Sequence, residues 1–230
     1  MTNNLLKQLI LLIPMITLPF KSHQRLEAQK DLAASVLLHI KEEKKVKFGE
    51  FEFKDYQYYG CSGTYIASHV ILTAAHCVPK LNDLIWARGP YEVIGYPVHL
   101  IYWDKKADLA LLDAPFGHPY VKIGLVPDRG DRVLNIGSPE DFEFVESEGT
   151  VGPTDFRIRG FTSEYLVTTA MANPGSSGGG AFNDKGELIG VNTMIIGIFG
   201  WSGITLAVNT VSINLFLGQA LRNYHHWGTN

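Results

Sequence analysis

A histidine, an aspartate and two adjacent serines lie in three short segments that follow one another along the chain. "TAAHC" contains His76, "DLALL" begins at Asp108, and "NPGSSGGG" contains Ser176 and Ser177. A serine can attack a carbonyl carbon when an imidazole accepts its proton and a carboxylate orients that imidazole. Glycines beside the serine suit a tight turn that lets a carbonyl approach backbone N–H groups. The three segments together indicate acyl transfer through a serine nucleophile.

Each segment by itself has a simpler interpretation. The Gly/Ser run is typical of a flexible loop. The segment with His76 is typical of a strand end with a buried histidine, and the segment with Asp108 is typical of a strand start. A phosphate-binding loop is excluded because no Gly-Lys-Ser/Thr follows the glycines. Asp104 and Asp113 are alternative carboxylates, but neither begins the apolar Leu-Ala-Leu run as Asp108 does. The chemical interpretation depends on the three segments occurring together and in this order.

The elements that would position these residues are mostly strands. From Ser35 onward, short runs rich in β-branched residues alternate with turn residues, and one run, "KVKFGEFEF" (45–53), alternates around a central glycine. Such spacing is typical of an all-β barrel or sandwich. Apolar residues in "VSINLFLGQALRNY" recur near helical spacing and predict a helix at 211–224. We therefore expect two β-rich halves, with a break near residues 115–120, and a closing C-terminal helix.

The composition is that of a globular protein without an excess of either charge. Of 230 residues, 46% are hydrophobic, and 20 Lys and Arg face 23 Asp and Glu, for a formal net charge of -3. This length can bury a substantial core, and the lack of a basic excess argues against nucleic acid as a partner. The other histidines show no metal-ligand spacing, so we expect no metal and no cofactor.

The first 27 residues differ from the rest of the chain. Lys7 precedes an apolar run at 9–20 that two prolines interrupt. The run is shorter than the roughly 20 apolar residues of a spanning helix, and it suits the apolar core of a secretory signal. We expect residues 1–27 to be an export signal, either cleaved or kept as an N-terminal anchor. A buried or amphipathic N-terminal helix is the alternative.

The three motifs resemble those of the trypsin/chymotrypsin superfamily of serine peptidases and, within it, of the HtrA/Deg-like branch. "NIGSP" (135–139) and "GELIGVNT" (186–193) also occur as similar segments do in that branch. The resemblance covers about residues 35–223. It implies an all-β fold of two antiparallel six-stranded barrels, as in chymotrypsin, with a C-terminal helix.

The resemblance also implies a domain organisation. Residues 28–230 would form one trypsin-like peptidase domain, with an N-terminal barrel at about 34–115, a C-terminal barrel at about 120–210 and the helix at 211–224. Many relatives in the HtrA/Deg-like branch carry a peptide-binding PDZ module after the peptidase domain. The residues after the helix are too few for it, so we expect a member without that module.

Carried over position by position, the resemblance implies a role for each residue of the motifs. His76 would be the general base, Asp108 the carboxylate that orients it, and Ser177 the nucleophile. Ser176 would occupy the variable position before the nucleophile. The N–H groups of Gly175 and Ser177 would form the oxyanion hole. The expected activity is that of a serine endopeptidase, which forms an acyl-enzyme with a protein or peptide substrate.

The two cysteines match a disulfide that is frequent in the resembled superfamily. Cys61 and Cys77 stand 16 residues apart, and Cys77 directly follows His76. A bridge between them would fix the histidine loop, and closing a loop of this length stabilises the fold by about 3 kcal/mol in the chain-entropy model. It would also imply an oxidising compartment, in agreement with an export signal.

The resemblance further implies where the side chain before the scissile bond would bind. No aspartate stands at the floor of the implied pocket, which disfavours Lys and Arg, and Asn192 stands where Glu-cleaving relatives have a histidine. We expect cleavage after small or medium apolar residues such as Val, Ala or Ile. The residues implied to bind substrate are Met171 and Ala172 in the floor, Thr193, Met194 and Ile195 in the strand that pairs with the substrate backbone, and Gly203 in the other wall.

Three alternatives stay open beside this expectation. The chain could be an inactive homologue that binds peptides or proteins, a hydrolase of esters or small peptides, or an intracellular protein with reduced cysteines. Our expectation is a secreted or periplasmic endopeptidase that contacts a membrane only through an N-terminal anchor. The sequence leaves its oligomeric state open.

Overall fold

The strands form two groups that follow each other along the chain, and one helix comes after them. A short helical turn at 30–34 leads into the first strand. The segment at 1–27, for which the sequence predicts a signal or an anchor, lies outside the described residues. The computed structural model describes residues 30–49, 51–78, 84–139, 142–198 and 201–227.

The first group of strands is a closed barrel. The strands pair in the order β1-β2-β3-β6-β5-β4, and β4 pairs with β1 to close the barrel. Because successive strand residues point to opposite faces, alternate apolar residues fill the interior, among them Leu38, Tyr65, Leu72 and Leu112. The strands are β1 (Ser35–Phe48), β2 (Phe51–Ala67), β3 (Val70–Thr73), β4 (Leu84–Arg88), β5 (Tyr96–Asp104) and β6 (Leu109–Asp113).

The second group is a seven-stranded sheet with the order β8-β7-β11-β12-β13-β10-β9. Its core includes Val133, Leu166, Ile189 and Ala207, which are almost completely buried. The strands are β7 (Arg132–Gly137), β8 (Val145–Thr150), β9 (Phe156–Arg157), β10 (Glu164–Thr168), β11 (Gly180–Phe182), β12 (Leu188–Ile198) and β13 (Trp201–Asn209).

The prediction of a mostly β fold with two halves and a C-terminal helix is confirmed. The second half differs in detail from a six-stranded barrel, since among the described residues no ladder joins the two ends of its sheet. A single antiparallel bridge between Val151 and Thr168 connects the end of β8 to β10, and the N–H of Gly152 donates to the Val167 carbonyl at 2.7 Å. The irregular segment after β8 therefore brings these parts of the sheet together.

The helix runs from Thr210 to Trp227, one residue before and three residues beyond the predicted bounds. The Asn209 side chain accepts the N–H of Ser212 at 3.0 Å, which caps the first turn. Ile213 and Phe216 are buried, and the Phe216 ring lies 5.4 Å from that of Tyr102 in the barrel. Among the described residues, no helix has the length and apolar character needed to cross a membrane.

The glycine in the alternating run at 45–53 is a turn. Gly49 has a φ of +62°, and Phe48 pairs with Phe51 on either side of it. β1 and β2 are thus the two strands of one long hairpin. The end of the hairpin away from the turn belongs to the barrel.

The segment between the two groups of strands is bonded to both. The N–H groups of Ala114 and Val121 donate to carbonyls at the β2–β3 end of the barrel, at 2.9 and 3.0 Å. The N–H of Gly124 donates to the Leu188 carbonyl in β12 at 2.9 Å. The connection is therefore a fixed part of both halves.

Candidate active site

His76 lies in a single 3-10 turn, Ala75–Cys77, directly after β3. Cys77 is buried and forms a disulfide with Cys61 of β2, with the two Cα atoms 6.1 Å apart. The bridge that the resemblance implied is thus present, and it ties the histidine turn to the neighbouring strand. The His76 side chain itself is only half covered, so its ring can be reached from solvent.

The Asp108 carboxylate holds the inner edge of the His76 ring. Its Oδ1 and Oδ2 lie 3.0 and 2.9 Å from His76 Nδ1, and Oδ1 also accepts the backbone N–H of His76 at 3.0 Å. Because an ionised carboxylate can only accept hydrogen bonds, this geometry places the ring proton on Nδ1 and leaves Nε2 as the free acceptor. Asp108 is buried, so water does not compete for these contacts.

The Asp108 carboxylate has a buried tyrosine, Tyr165, in its surroundings. Burial, together with the charge of Asp108, raises the pKa of Tyr165 to about 12, so the phenol stays neutral beside it. The two alternative carboxylates lie in other settings. Asp104 accepts the N–H groups of Lys106 and Ala107 in a turn, and Asp113 is exposed at the end of β6.

The two adjacent serines have different environments. Ser176 is buried, and its Oγ accepts the N–H of Asn173 at 3.4 Å. Ser177 is partly buried, and its carbonyl oxygen lies 3.6 Å from the sulfur of Cys77, the residue after His76. Within the described residues, no hydrogen bond joins the Ser177 hydroxyl to the His76 ring. The structure thus brings the Ser177 backbone to the histidine turn and pairs His76 with Asp108.

The glycines around Ser177 allow close contact between the two halves. Gly178 has a φ of +84°, and a Cβ on it would lie 2.1 Å from Thr73 Oγ1 and 2.2 Å from the Ser62 carbonyl oxygen. Gly175 has a φ of +97°. In the described part of the chain, the N–H groups of Gly175 and Ser177 donate to no protein acceptor. Among the described residues, the loop therefore presents two backbone donors without a protein acceptor, one of them on Ser177 itself.

Ser62 connects the barrel to the serine loop, and the sequence motifs did not indicate it. Its N–H donates to the Ser177 carbonyl at 2.8 Å, and its hydroxyl donates to the Gly175 carbonyl at 2.9 Å. The same hydroxyl accepts the N–H of Ser138 from the second half at 2.8 Å. Its position next to Cys61 was the only signal in the sequence that it lies near the site.

The match to a known family spans all three motifs. Residues 61–191 match the family model described as "Trypsin-like peptidase domain", which is more than half of the chain. The chain belongs to the trypsin-like peptidase family. The matched range includes His76, Asp108 and Ser177, and it begins at Cys61.

Two relatives of this trypsin-like peptidase are HtrA and DegP proteins. The chain is 32% identical over 160 residues to "Serine protease HTRA1" of Xenopus tropicalis, covering 66% of this chain and 34% of that protein. It is 33% identical over 135 residues to "Probable periplasmic serine endoprotease DegP-like" of Chlamydia pneumoniae, covering 56% and 28%. The chain thus spans about a third of the length of the curated relatives it matches.

A solved structure has the same fold as this trypsin-like peptidase. It is an HtrA-type protease with a decapeptide, with a TM-score of 0.75 over 84% of this chain and 64% of the other chain, at 22% identity. At this identity the likeness concerns the fold. It agrees with the closed barrel, the second sheet and the C-terminal helix described above.

Three of the residues expected to bind substrate, Thr193, Met194 and Ile195, lie where β12 has an open edge. β11 pairs with β12 only as far as Val191, and the next residue, Asn192, exchanges backbone hydrogen bonds with Gly178 and Gly179 at 2.7 and 2.8 Å. Beyond Asn192, this edge of β12 has no partner strand among the described residues. Both polar side-chain atoms of Asn192 are buried without a hydrogen-bond partner in the described structure.

The expected pocket residues differ in exposure. Ala172 and Thr193 are buried, and Met171 is exposed. Met194 and Ile195 are partly buried on β12, and Gly203 is exposed on β13, with open space where a Cβ would be. Thr193 lies at an irregularity in the β12–β13 ladder. The expected residues thus lie on β12, on its neighbour β13 and on the loop that leads to Ser177.

Proposed function

We propose that the protein is a serine endopeptidase in which Ser177 is the nucleophile, His76 the general base and Asp108 the orienting carboxylate. The observation that carries the proposal is the Asp108–His76 contact, with both carboxylate oxygens within 3.0 Å of Nδ1. It leaves Nε2 free to accept a proton. Ser177 lies next to the histidine turn, with its carbonyl oxygen 3.6 Å from Cys77 Sγ. This position supports Ser177, rather than Ser176, as the nucleophile that gives its proton to His76.

The reaction uses these groups in two steps, acylation of Ser177 and hydrolysis of the acyl-enzyme. Ser177 Oγ bonds to the substrate carbonyl carbon while His76 Nε2 takes the hydroxyl proton, and His76 then gives that proton to the leaving amine as the C–N bond breaks. Water then attacks the acyl-enzyme, His76 takes a proton from it, and this proton returns to Ser177 Oγ as the acid product leaves. Asp108 stabilises the positive imidazole in both steps.

The developing oxyanion binds between two backbone donors. The N–H groups of Gly175 and Ser177 have no protein acceptor among the described residues, and the Ser62 hydroxyl anchors the loop through the Gly175 carbonyl. Donors held in place before the reaction stabilise the transition state without reorganisation, and one such donor contributes roughly 10²–10³ in rate.

The substrate binds as an extended strand along the open edge of β12. Thr193, Met194 and Ile195 follow the serine-loop contact at Asn192, so a peptide paired there would bring its carbonyl toward Ser177. The apolar Ala172 and Ile195, with no acidic residue among the expected pocket residues, support small or medium apolar side chains before the scissile bond. Sequencing of products from a peptide library should show Val, Ala or Ile at this position, and a preference for Arg, Lys or Glu would contradict the assignment.

The site of action is outside the cytosol, in the periplasm or a secreted fraction. The disulfide between Cys61 and Cys77 supports an oxidising compartment, and one relative is named as a periplasmic endoprotease. The apolar run at 9–20 supports export, either as a cleaved signal or as an anchor.

Covalent labelling with a fluorophosphonate probe tests the proposal directly. The oxidised full chain should react, Ser177→Ala should not, and the matched variant Ser176→Ala should still react because its hydroxyl is buried in the loop. Loss of labelling only in Ser176→Ala would move the nucleophile by one residue.

An inactive homologue that binds peptides is the second candidate. The missing hydrogen bond between the Ser177 hydroxyl and His76 favours it, although such bonds are often long before substrate binds. A folded, disulfide-bonded protein that resists the probe yet binds a peptide along β12 would establish this candidate instead.

A further inference from the structure

A two-stranded arm projects from the barrel beyond the points where its strands have other partners. β1 pairs with β4 only from Leu37 to Lys41, and β2 pairs with β3 only from Thr64 onward. Between these points and the turn, β1 and β2 pair with each other alone among the described strands. We call residues 42–58 the arm. A hairpin of two strands is only marginally stable in water. The arm would therefore gain stability from a partner that buries its apolar side chains.

The register of the arm puts its large apolar side chains on one face. Phe48 pairs with Phe51 and Val46 pairs with Phe53, and directly paired residues share a face. The two pairs are two residues apart along each strand, so both lie on the same side. The four side chains form a continuous surface at the end of the arm, which we call the tip patch. Their exposed fractions are 45% for Val46, 80% for Phe48, 71% for Phe51 and 56% for Phe53.

The opposite face of the arm is charged. There Lys47 pairs with Glu52 and Lys45 pairs with Lys54, and Lys45 Nζ lies 2.8 Å from Glu52 Oε1. The Lys54 ammonium lies 3.0 Å from Glu43. The end of the arm is therefore an amphipathic ribbon, apolar on one face and ionic on the other.

The area of the tip patch favours a lipid surface over a second protein as the partner that binds it. A buried aromatic side chain removes roughly 150–250 Å² from water, so three mostly exposed phenylalanines and a half-exposed valine offer on the order of 400–500 Å². A standard protein interface needs about 800 Å² from each partner, with complementary shape. Charged side chains lie directly behind the patch, so a second copy docked on it would bury only about half that area. A lipid surface requires neither the area nor the shape.

The dimensions of the tip patch fit the interface of a bilayer. Its two pairs are about 7 Å apart along the strands, and amphipathic segments that lie in a membrane surface bury their apolar face about 5–10 Å deep. At this depth the unpaired N–H and C=O groups on the edges of the arm can still bond to headgroups and water, as they must. The lysines keep their charged ends on the solvent side.

The position of the arm in the chain allows it to reach a membrane that holds the N-terminal segment. Nine residues separate the apolar run at 9–20 from the helical turn at 30–34 that leads into β1, and nine residues span up to about 30 Å when extended. β1 itself has 14 residues, or about 46 Å from root to tip. A chain held in a bilayer by that run can therefore place the tip patch in the same surface.

We propose that the tip patch docks onto the surface of a lipid bilayer, with its four apolar side chains among the headgroups and upper acyl chains. The arm contains four lysines and five acidic residues, so apolar burial drives the docking and attraction to anionic lipids contributes little. Docking is therefore expected on neutral as well as anionic membranes, with weak dependence on salt.

A fluorophore at the tip tests this in the full chain. Both native cysteines are in the disulfide, so Phe51→Cys supplies one free thiol for an environment-sensitive nitrobenzoxadiazole probe. Vesicles of phosphatidylcholine, with or without phosphatidylglycerol, should shift its emission to the blue, and doxyl-labelled lipids should quench it. The control is Val93→Cys, because Val93 is exposed beyond the opposite end of β1. Its probe should stay in water even when the N-terminal segment holds the chain on the vesicle.

The remaining tip residues supply the second test. Val46→Ser, Phe48→Ser and Phe53→Ser together, in the labelled Phe51→Cys protein, should weaken the response to vesicles about tenfold or more, with no loss of fluorophosphonate labelling. A blue shift that grows with protein concentration without vesicles would assign the patch to a second copy and overturn the proposal. No response to either vesicle would also overturn it, as would a response confined to anionic vesicles and abolished by salt.

Discussion

Asp108 meets two requirements at one position. Its φ of +56° lies in the left-handed region, which residues other than Gly, Asn and Asp adopt rarely. Its carboxylate accepts both the ring N–H and the backbone N–H of His76. A replacement must therefore tolerate the backbone conformation as well as supply the acceptors, and asparagine meets the first requirement but offers one acceptor oxygen and an NH2 group in place of a charged carboxylate.

Asp108→Asn should leave the fold intact and lower kcat/KM by about 10⁴, because an amide favours the wrong imidazole tautomer. The measurement is turnover of a fluorogenic peptide, with the melting temperature recorded beside it. Asp113→Asn is the matched control, since Asp113 is exposed and lies on the same strand. Activity within tenfold of the wild type in Asp108→Asn would show that this carboxylate does not orient the base.

The sequence motifs predicted which residues of the candidate site to compare, but not the contacts that surround them. The order and local pattern of the motifs placed His76 and Asp108 at strand ends, and the two do meet. Ser62 could not be predicted, because its partner Gly175 is 113 residues away and a single serine carries no pattern. Contacts of this kind depend on how two β units pack, which no local periodicity encodes.

At the scale of elements, the serine loop depends on glycine for two separate reasons that can be measured apart. Gly178 has a positive φ and also lies against the barrel, with no room for a Cβ beside Thr73 and the Ser62 carbonyl. Gly160 has a φ of +97° but open space around it. A substitution at Gly160, which lies outside the serine loop, therefore measures the cost of the backbone conformation alone.

Gly160→Ala should lower the unfolding free energy by about 1–2 kcal/mol, the cost of a left-handed alanine. Gly178→Ala adds a steric clash with backbone, so we expect a larger fall in melting temperature and slower fluorophosphonate labelling. Equal melting temperatures for the two variants, with labelling unchanged, would mean that the loop does not need this close approach.

The elements themselves were predictable where the pattern was local. The C-terminal helix follows from apolar residues at helical spacing, and Ile213 and Phe216 do face the core. The alternation at 45–53 was a weaker guide, because alternation indicates a strand without showing what its apolar face packs against. In the fold, Gly49 makes a turn there and Phe48 and Phe51 face solvent.

At the scale of the whole molecule, the segment joining the barrel to the sheet contains a histidine, His118, whose side chain is 11% exposed. The His118 N–H donates to the Ser68 carbonyl at 2.9 Å, and its ring stacks on Tyr65 and Tyr96, with centroids 4.6 and 5.2 Å away. Its Nε2 lies 3.6 Å from Glu92. Burial lowers the pKa of His118 from its ordinary 6.5, an effect that Glu92 opposes and His69 reinforces.

This lowered pKa makes the stability of the fold depend on pH. Below about pH 6.5 the unfolded chain binds a proton at His118 that the folded chain still excludes, so unfolding becomes more favourable as pH falls. The slope for one proton is at most about 1.4 kcal/mol per pH unit, or roughly 3–5 °C in melting temperature for a chain of this size. The loss begins near pH 6.5 and ends at the lowered pKa of the folded state.

His118→Phe should flatten this part of the stability curve. The phenyl ring keeps the stacking on the two tyrosines and removes the only proton-binding group at that position, so its melting temperature should fall less between pH 7 and 5 than that of the wild type. His99→Phe removes an exposed histidine from β5 and should leave the slope unchanged. Parallel curves for wild type and His118→Phe would mean that other groups, titrating elsewhere in the molecule, set its acid sensitivity. A flatter curve in His118→Phe alone would assign part of that sensitivity to the segment that holds the two halves together.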